Sequence, residues 1–460
     1  MTYSPPTPPV QPLQRLRVTD GLLINAERWR LAYDYHRQRQ SLYYQSLHQP
    51  GIVCGLGIHP ISPPDKISQP FQDQRWLQVQ PGMAIDDQGN CIVVPEPIDF
   101  RIASRVEQPT TIYLVLQYVD PEQLQQSEEN PVLTEVFRID EKTHPPGPGE
   151  VEICRIIIDP QAQLKLPTDP FFPQINQVDL RYRRQPRSRP QAVLQIAQVS
   201  PIAPSPQNQQ SVTNFQAFLR SIEVLYPNLL AVAAPHPIEL VDRNQAVNLR
   251  DYDVLYLQTQ SAQSLTDVQV RSLRYFLMQG GYLWVEVSVR GTQLAELFTV
   301  KAQLQTALSQ IDRSQALGAS ADHQTLQPLR QDITRELSAT QTALNAKLNE
   351  TGLPFRTLAE QLGQPLQSLQ TMQADHPIRC QPFQFGALPI VNQQPVELFF
   401  SDHLLMMVGD LSVVWGGGSK EGFARDQIRT AQEFGTNILH YAWQRQHYRQ
   451  LLATPAASTP

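Results

Sequence analysis

The chain lacks most of what an enzyme, a metal protein or a nucleic-acid binder would show. Its four cysteines (Cys54, Cys91, Cys154, Cys380) are scattered over 460 residues. They contain no C-x-x-C pair, which removes the redox dithiol and the zinc ribbon from consideration. Most sit in apolar, strand-like contexts, so buried, reduced thiols are expected. Basic excess is missing too: 37 Lys and Arg stand against 43 Asp and Glu, for a net charge of −6. A dedicated nucleic-acid binder would concentrate positive charge, and no nucleic-acid partner is expected. The one basic run, RYRRQPRSRP from Arg181 to Pro190, lies among prolines. It is expected as a solvated linker, with a phosphate or anionic-surface contact as the lesser alternative. There is no run of about 18 apolar residues to span a bilayer. The opening MTYSPPTPPVQP has no apolar core of a secretory leader, so a cytoplasmic location is expected.

Catalytic signatures are also scarce. No Ser or Cys occupies a G-x-S-x-G or G-x-C-x-G elbow. The glycine-rich WGGGSKEGFARDQ lacks the G-x-x-x-x-G-K-[ST] spacing of a phosphate loop. Gly416, Gly417, Gly418, Ser419 and Lys420 remain a candidate anion turn, because backbone N–H groups before a helix can hold an anion. A ligand-free turn is the preferred reading. Asp402 with His403, or Asp375 with His376, could form an acid–base pair with Glu286. His36, His48 and His59 lie on different elements without ligand spacing, so neither a metal nor another cofactor is expected.

The positive signal is concentrated in residues 16–60. Asp20 and Asn25 are candidate helix N-caps. From Ala26 to about Leu47, Trp29, Tyr33, His36 or Arg37, Gln40, Tyr43/Tyr44 and Leu47 recur at three- and four-residue spacings. That predicts an amphipathic helix with an aromatic stripe and an Arg-rich opposite face. Pro50 and Gly51 stop it, and GIVCGLGIHPI then alternates as a half-buried strand. The plain expectation is that the aromatic stripe packs on the sheet that follows.

The rest of the chain divides by period. A Pro-rich tail (1–15) precedes a helix plus β-rich docking domain (16–190) with the fold of a small sandwich or open barrel. It holds two strands around the turn Asp87-Gln88-Gly89-Asn90, then TIYLVLQYVDP and VEICRIIID. Residues 191–299 and 376–450 alternate strand and helix, predicting a parallel-sheet α/β domain of flavodoxin-like type. Thr266 is read as a helix cap and Gly280-Gly281 as a tight connection. Residues 300–375 are polar, Gln-rich helical segments broken at Gly318 and Gly352, predicting a helical hairpin inserted into that domain. Residues 451–460 form a second tail. The fold class is therefore multidomain α+β.

Two resemblances add to this. The stretches NLRDYDVLYLQTQ, LTDVQVRSLRYFLMQGGYLWVEV, FFSDHLLMMV and FGTNILHYAW resemble an uncharacterised bacterial domain family with the fold of class I glutamine amidotransferases. The nucleophile of that enzyme family is missing, since its place offers only Gly280-Gly281-Tyr282 or Val287-Ser288-Val289. DGLLINAERWRLAYDYHRQRQSLYYQSLHQPGIVCGL followed by LQVQPGMAIDDQGNCIVVPEPI is similar to baseplate-associated components of phage-tail-like contractile injection systems. His36, Arg39, Gly51 to Leu56, Pro81, Gly82, Ala84, Asp86 and Gly89 carry that match. It implies a non-enzymatic baseplate subunit, present in several copies. Such a subunit would dock on other tail subunits through Trp29, Tyr33, Tyr43, His36 and Arg39. The inserted hairpin would meet a neighbour or a membrane-side partner. The alternatives are a hydrolase or amidotransferase-like enzyme using Asp402, His403 and Glu286, and an anion- or sugar-binding module using the Gly416 turn.

Overall fold

The computed structural model describes residues 11–65, 67–121, 132–161, 163–199, 206–234, 237–240, 249–263, 265–316, 323–368, 375–386, 388–391, 394–416 and 422–452. The chain forms two compact units, 1–189 and 190–460.

The first unit opens with α1 (Ala26–Leu47), capped by Asn25, whose side chain accepts from the Arg28 N–H at 2.9 Å. Strands β1 (Gly51–Gly55), β2 (Ile58–Pro60), β3 (Trp76–Val79), β4 (Gly82–Ile85), β5 (Cys91–Val94), β6 (Ile98–Arg101), β7 (Thr110–Val119), β8 (Val136–Lys142), β9 (Glu150–Ile158) and β10 (Val178–Asp179) follow. They make three antiparallel sheets, ordered β1-β4-β5, β2-β3-β6 and β10-β9-β7-β8. One core joins all three, with Ile52, Leu77, Val79, Ile92, Ile112, Leu114, Ile153 and Ile156 at its centre. The alternating apolar residues of each strand supply that core, as period-two patterning requires. The predicted turn closes the β4–β5 hairpin. Asp86 Oδ1 accepts from the Gln88 and Asn90 N–H groups at 2.9 and 2.8 Å, and Gly89 takes φ +85°. Gly82 is demanded by packing: a Cβ there would sit 2.4–2.8 Å from Leu56 and Cys54 of the neighbouring chain segment.

The second unit is doubly wound. Strands β11 (Ala192–Gln198), β12 (Leu229–Ala233), β13 (Val254–Gln258), β14 (Tyr282–Val287), β15 (Gln367–Ser368), β16 (Glu397–Phe400) and β17 (Leu404–Val408) form one sheet, in the order β12-β11-β13-β14-β17-β16-β15. The first five of that order are parallel and wind 2-1-3-4-5, the flavodoxin-like order. β16 and β15 add an antiparallel edge, so the sheet is mixed rather than wholly parallel. Central strands such as VLYL and LLMMV are continuous apolar runs because helices cover both faces. One face packs on α2 (Pro206–Leu225), α6 (Leu411–Trp415) and α7 (Arg425–Leu452), with Tyr256, Trp284, Leu405 and Met407 pointing to it. The other packs on α3 (Asp267–Met278), α4 (Gln293–Ala316) and α5 (His323–Gln361), with Leu255, Leu283, Val285 and Met406.

Local expectations fare unevenly. Thr266 caps α3 in a full capping box with Gln269, and Gly280 takes φ +99° in the turn to β14. LSVVW, whose apolar character would suit a strand before the glycine-rich turn, is the helix α6. It sits under Phe218 and Phe215, where a helix end can bury Trp415. Gly352 does not break the hairpin: α5 runs through it and through Pro354, its open glycine position meeting no obstruction closer than 3.9 Å. Gly318 lies outside the described residues, as does most of the two expected tails. Among the cysteines only Cys154 is buried; Cys54 is exposed and Cys91 and Cys380 are half-buried. Strand alternation turns Cys91 off the core, whereas Cys380 ends a four-residue helix.

Candidate functional site

α1 departs most from expectation. None of its 22 residues is buried. Trp29, Tyr33 and Tyr43 are 67, 55 and 60% exposed, and Leu47 is 48% exposed. The stripe expected to pack on the sheet therefore faces away from it. The reason lies in how the helix is held. Its contacts with the β-domain are polar and lie on an adjacent face: Arg37 pairs with Asp120 at 3.0 Å, and Gln45 and Ser41 both donate to the Gln88 carbonyl of the β4–β5 turn. Arg189 donates to the Gln45 carbonyl at 2.6 Å. Gly89 permits the approach, since a Cβ there would lie 3.1 Å from Ser41 and Tyr44. His36 stacks edge-on against Tyr35, and Arg39 donates to the Tyr35 hydroxyl at 3.3 Å, both at the surface. All five sequence-predicted contact residues thus share one accessible helix. Its turn of attachment coincides with the glycine and aspartate positions of the second motif.

In the α/β unit the predicted acid–base residues do not meet. Leu283 pairs with Leu404 in register, so His403 is level with the start of β14 while Glu286 stands near its end. Four strand residues separate them, about 13 Å at 3.3 Å per residue. His403 is locked into the sheet's amino end: its Nδ1 donates to the Gly281 carbonyl at 3.0 Å, and its Nε2 faces the Arg449 guanidinium. Burial, then Arg449, lowers its pKa. An imidazole aimed at a guanidinium has no room for a second proton and makes a poor base. Asp402 is committed to Arg445 at 2.7 Å. His376 caps a four-residue helix by accepting from the Ile378 N–H, and its ring lies between Phe400 and Tyr441. Asp375 brings only its backbone carbonyl to Cys380.

The carboxyl end of the parallel strands, where open α/β sheets bind ligands, holds residues the motif search passed over. The Tyr256 hydroxyl donates to Glu286, and the Ser412 N–H donates to the same carboxylate at 2.9 Å. Asp410 accepts from Ser288 Oγ at 2.5 Å and from the Val289 N–H at 3.3 Å. Asn214 ties α2 to α6 through the Ser412 carbonyl at 3.1 Å. Burial pushes the Glu286 pKa up to about 7, and burial raises that of Asp410 as well. The signal in the sequence was the polar residue at or next to the end of an apolar strand: Gln198, Gln258 and Glu286. Tyr256 with Glu286, and Ser288 with Asp410, spend these hydrogen bonds on each other. Ser288, at one of the two places where a nucleophile would be sought, donates to a carboxylate and not to an imidazole. A cavity of about 10 Å³ beside Gln198 and Phe215 has room for about one water. The cluster is built to close the sheet end.

Gly416 ends α6, and its missing side chain admits the Asn214 amide. Gly417, Gly418, Ser419 and Lys420 of the candidate anion turn lie outside the described residues. Among the described residues no group of three or more His, Cys, Asp or Glu could hold a metal, and no helix is long and apolar enough to cross a membrane. No protein-family model matches the chain, and no curated protein is significantly similar to it.

Proposed function

We propose that this chain is a non-enzymatic structural subunit of a phage-tail-like contractile injection apparatus, placed at its baseplate and working by protein–protein contact. One observation carries the reading: a well-capped 22-residue helix fixed to its domain by polar ties, with every large aromatic of its free face left in solvent. Large aromatics cost free energy in water and are the usual anchors of interfaces. Trp29, Tyr33 and Tyr43 would fill pockets on a neighbouring tail subunit, with His36 and Arg39 on the rim. The motif residues Asp86 and Gly89 support this by building the turn on which the helix sits, and Gly82 by letting the strand before that turn pack against Cys54 and Leu56. The α4–α5 hairpin offers a second, polar surface for a neighbour or a membrane-side partner. The subunit works from the cytoplasmic side, in several copies per particle.

The test is quantitative mass spectrometry of purified injection particles. The wild-type chain should be present at a fixed ratio to the sheath protein, and a Trp29→Ser/Tyr33→Ser/Tyr43→Ser variant should be depleted at least tenfold. Absence of the wild-type chain, or undiminished recruitment of the variant, sinks the reading.

A further inference from the structure

The exposed face of α1 has a period as well as a composition. Trp29, Tyr33, His36, Gln40, Tyr43 and Leu47 follow one another at steps of 4, 3, 4, 3 and 4 residues. That is the alternation of the d and a positions of a heptad. All six are exposed. At about 100° per residue they fall within a sector about 80° wide. A helix that closes a domain core carries a broader apolar stripe, whereas a narrow a/d seam is the face one helix turns to another. The ties to the Gln88 carbonyl come from Ser41 and Gln45, at b and f, so the domain holds the helix by a face turned from the seam.

Charge is sorted about the same seam. The flanking e and g positions are Arg30, Arg37 and Tyr44 on one side, and Ala32, Arg39 and Ser46 on the other. The two carboxylates of the helix, Glu27 and Asp34, both stand at b, in line with Ser41 on the side held by the domain. Arg37 is answered by Asp120. Arg39 bonds the neutral Tyr35 hydroxyl, and Arg30 has no ion pair among the described residues. Neighbouring groups do not reverse the sign. Arg28 donates to the Leu23 carbonyl, Arg189 reaches the Gln45 carbonyl, and Asp87 accepts from the Gly149 N–H. From Arg15 to Leu47 six arginines stand against three carboxylates.

We propose that α1 is one half of an interchain coiled coil. Its seam takes an amphipathic helix of a different protein subunit, with an apolar stripe of the same period and Asp or Glu at the positions flanking it. The period argues for a helix, because knobs at this spacing enter holes formed by four side chains of a facing helix. Charge argues for acidic flanks, which set partner choice in such pairs. It also argues against a second copy: no e or g position of α1 carries a carboxylate, so two copies add like charge in either orientation. His36 and Gln40, at the centre of the seam, argue against lipid. An interfacial helix buries a continuous apolar face among acyl chains, where these two groups would lose their hydrogen bonds. Between two helices, polar residues at a and d fix the register instead.

The proposal rests on the assembly reading for the need of a partner, and the experiment separates the two. Benzoylphenylalanine replaces Trp29, His36 or Tyr43, one at a time, in the full chain in intact cells, and each adduct is located by mass spectrometry. Seven helical residues rise about 10.5 Å. The three adducts should therefore step by about seven residues along one segment of one other protein, with Asp or Glu beside its apolar stripe. Steps of about three residues would mean a strand and overturn the proposal. So would adducts on unrelated segments, on a second copy of this chain, or on no protein. Flotation of the purified chain on phosphatidylcholine–phosphatidylglycerol vesicles, lost in Arg30→Glu/Arg39→Glu, would overturn it too. In the cross-linking strains Arg30→Glu/Arg39→Glu should cut adduct yield at least tenfold and Arg30→Lys/Arg39→Lys should keep it, both melting like the wild type. Equal yields overturn the acidic partner. The ratio of this chain to the sheath protein in purified particles is read separately. Absence from particles with adducts stepping by seven ends the assembly reading alone, and presence with scattered adducts ends the coiled coil alone.

Discussion

The Tyr256 hydroxyl and the Glu286 carboxylate, from adjacent parallel strands, meet inside the sheet end and bond each other out of reach of solvent. Burial favours the neutral acid and lifts its pKa from 4.5 to about 7. The folded state thus holds a proton that the unfolded chain releases. That contribution is complete below pH 4.5 and is lost as pH rises through 7, costing about 3 kcal/mol by pH 8. Glu286→Gln keeps both hydrogen-bond partners and cannot ionise. Urea midpoints should fall between pH 4.5 and 8 by more in the wild type than in Glu286→Gln. Parallel profiles would refute the assignment. Glu286→Ala leaves the Tyr256 hydroxyl and the Ser412 N–H without an acceptor, and should cost about 3 kcal/mol at pH 5.

Beneath that pair lies a stack of rings: Phe218 is parallel to Trp415 at 4.4 Å and edge-on to Trp284 at 6.3 Å. Gly435 of α7 touches the same ring, and a Cβ there would stand 2.6 and 2.8 Å from its carbons. Phe218→Ala should lose about 3–5 kcal/mol by opening a cavity. Gly435→Ala should lose about 1–3 kcal/mol by overfilling, despite alanine's better helix propensity. Combined, the two should cost less than their sum, because the added methyl enters space the ring has left. Strict additivity in denaturation would show that the ring and the glycine are not coupled.

For α1 the contrast runs the other way. Trp29→Ser, Tyr33→Ser and Tyr43→Ser should each change stability by no more than about 0.5 kcal/mol, since the side chains stand in water. Asp86→Ala should cost about 2 kcal/mol, because three bonds to Gln88 and Asn90 disappear. It should also speed amide exchange in the carboxyl half of α1, which rests on the Gln88 carbonyl. Large losses from the aromatic substitutions would mean that the stripe is buried after all.

What the sequence made legible was set by periodicity. Period-two runs such as TIYLVLQYV and the apolar runs VLYL and LLMMV announced their strands, and Thr266 announced a helix start. LSVVW failed that test because four apolar residues around one serine fit a buried strand or a buried helix end equally well. The aromatic stripe of α1 misled because spacing reports which side chains share a face, not whether the domain covers it. The bonds that turn this helix, from Arg37 to Asp120 and from Gln45 to Gln88, join residues 83 and 43 positions apart. The polar lattice around Glu286 was hidden for the same reason. Its members come from β13, β14, α2 and α6, and only the 2-1-3-4-5 winding brings them together.

The α4–α5 hairpin yields the last prediction. Leu294 and Phe298 at the start of α4, and Leu344, Phe355, Leu358 and Ala359 in the second half of α5 with Leu362 just beyond it, belong to the core beneath the sheet. Among the described residues none between 299 and 343 belongs to that core, although Ile311 of α4 is itself buried. Arg330 pairs with Asp312 at 2.9 Å, and that antiparallel register sets residue 304 opposite residue 338. Joining those two positions by a short Gly-Ser linker should remove the distal arm and leave the sheet covered. The shortened protein should unfold cooperatively, within about 1 kcal/mol of the full chain, because the deletion takes no described side chain from the core beneath the sheet and shortens the loop to be closed. Insolubility, or a broad transition in calorimetry, would show that the arm is needed for the fold. Retained stability with impaired recruitment to particles would leave the arm only its outward surface to explain its presence.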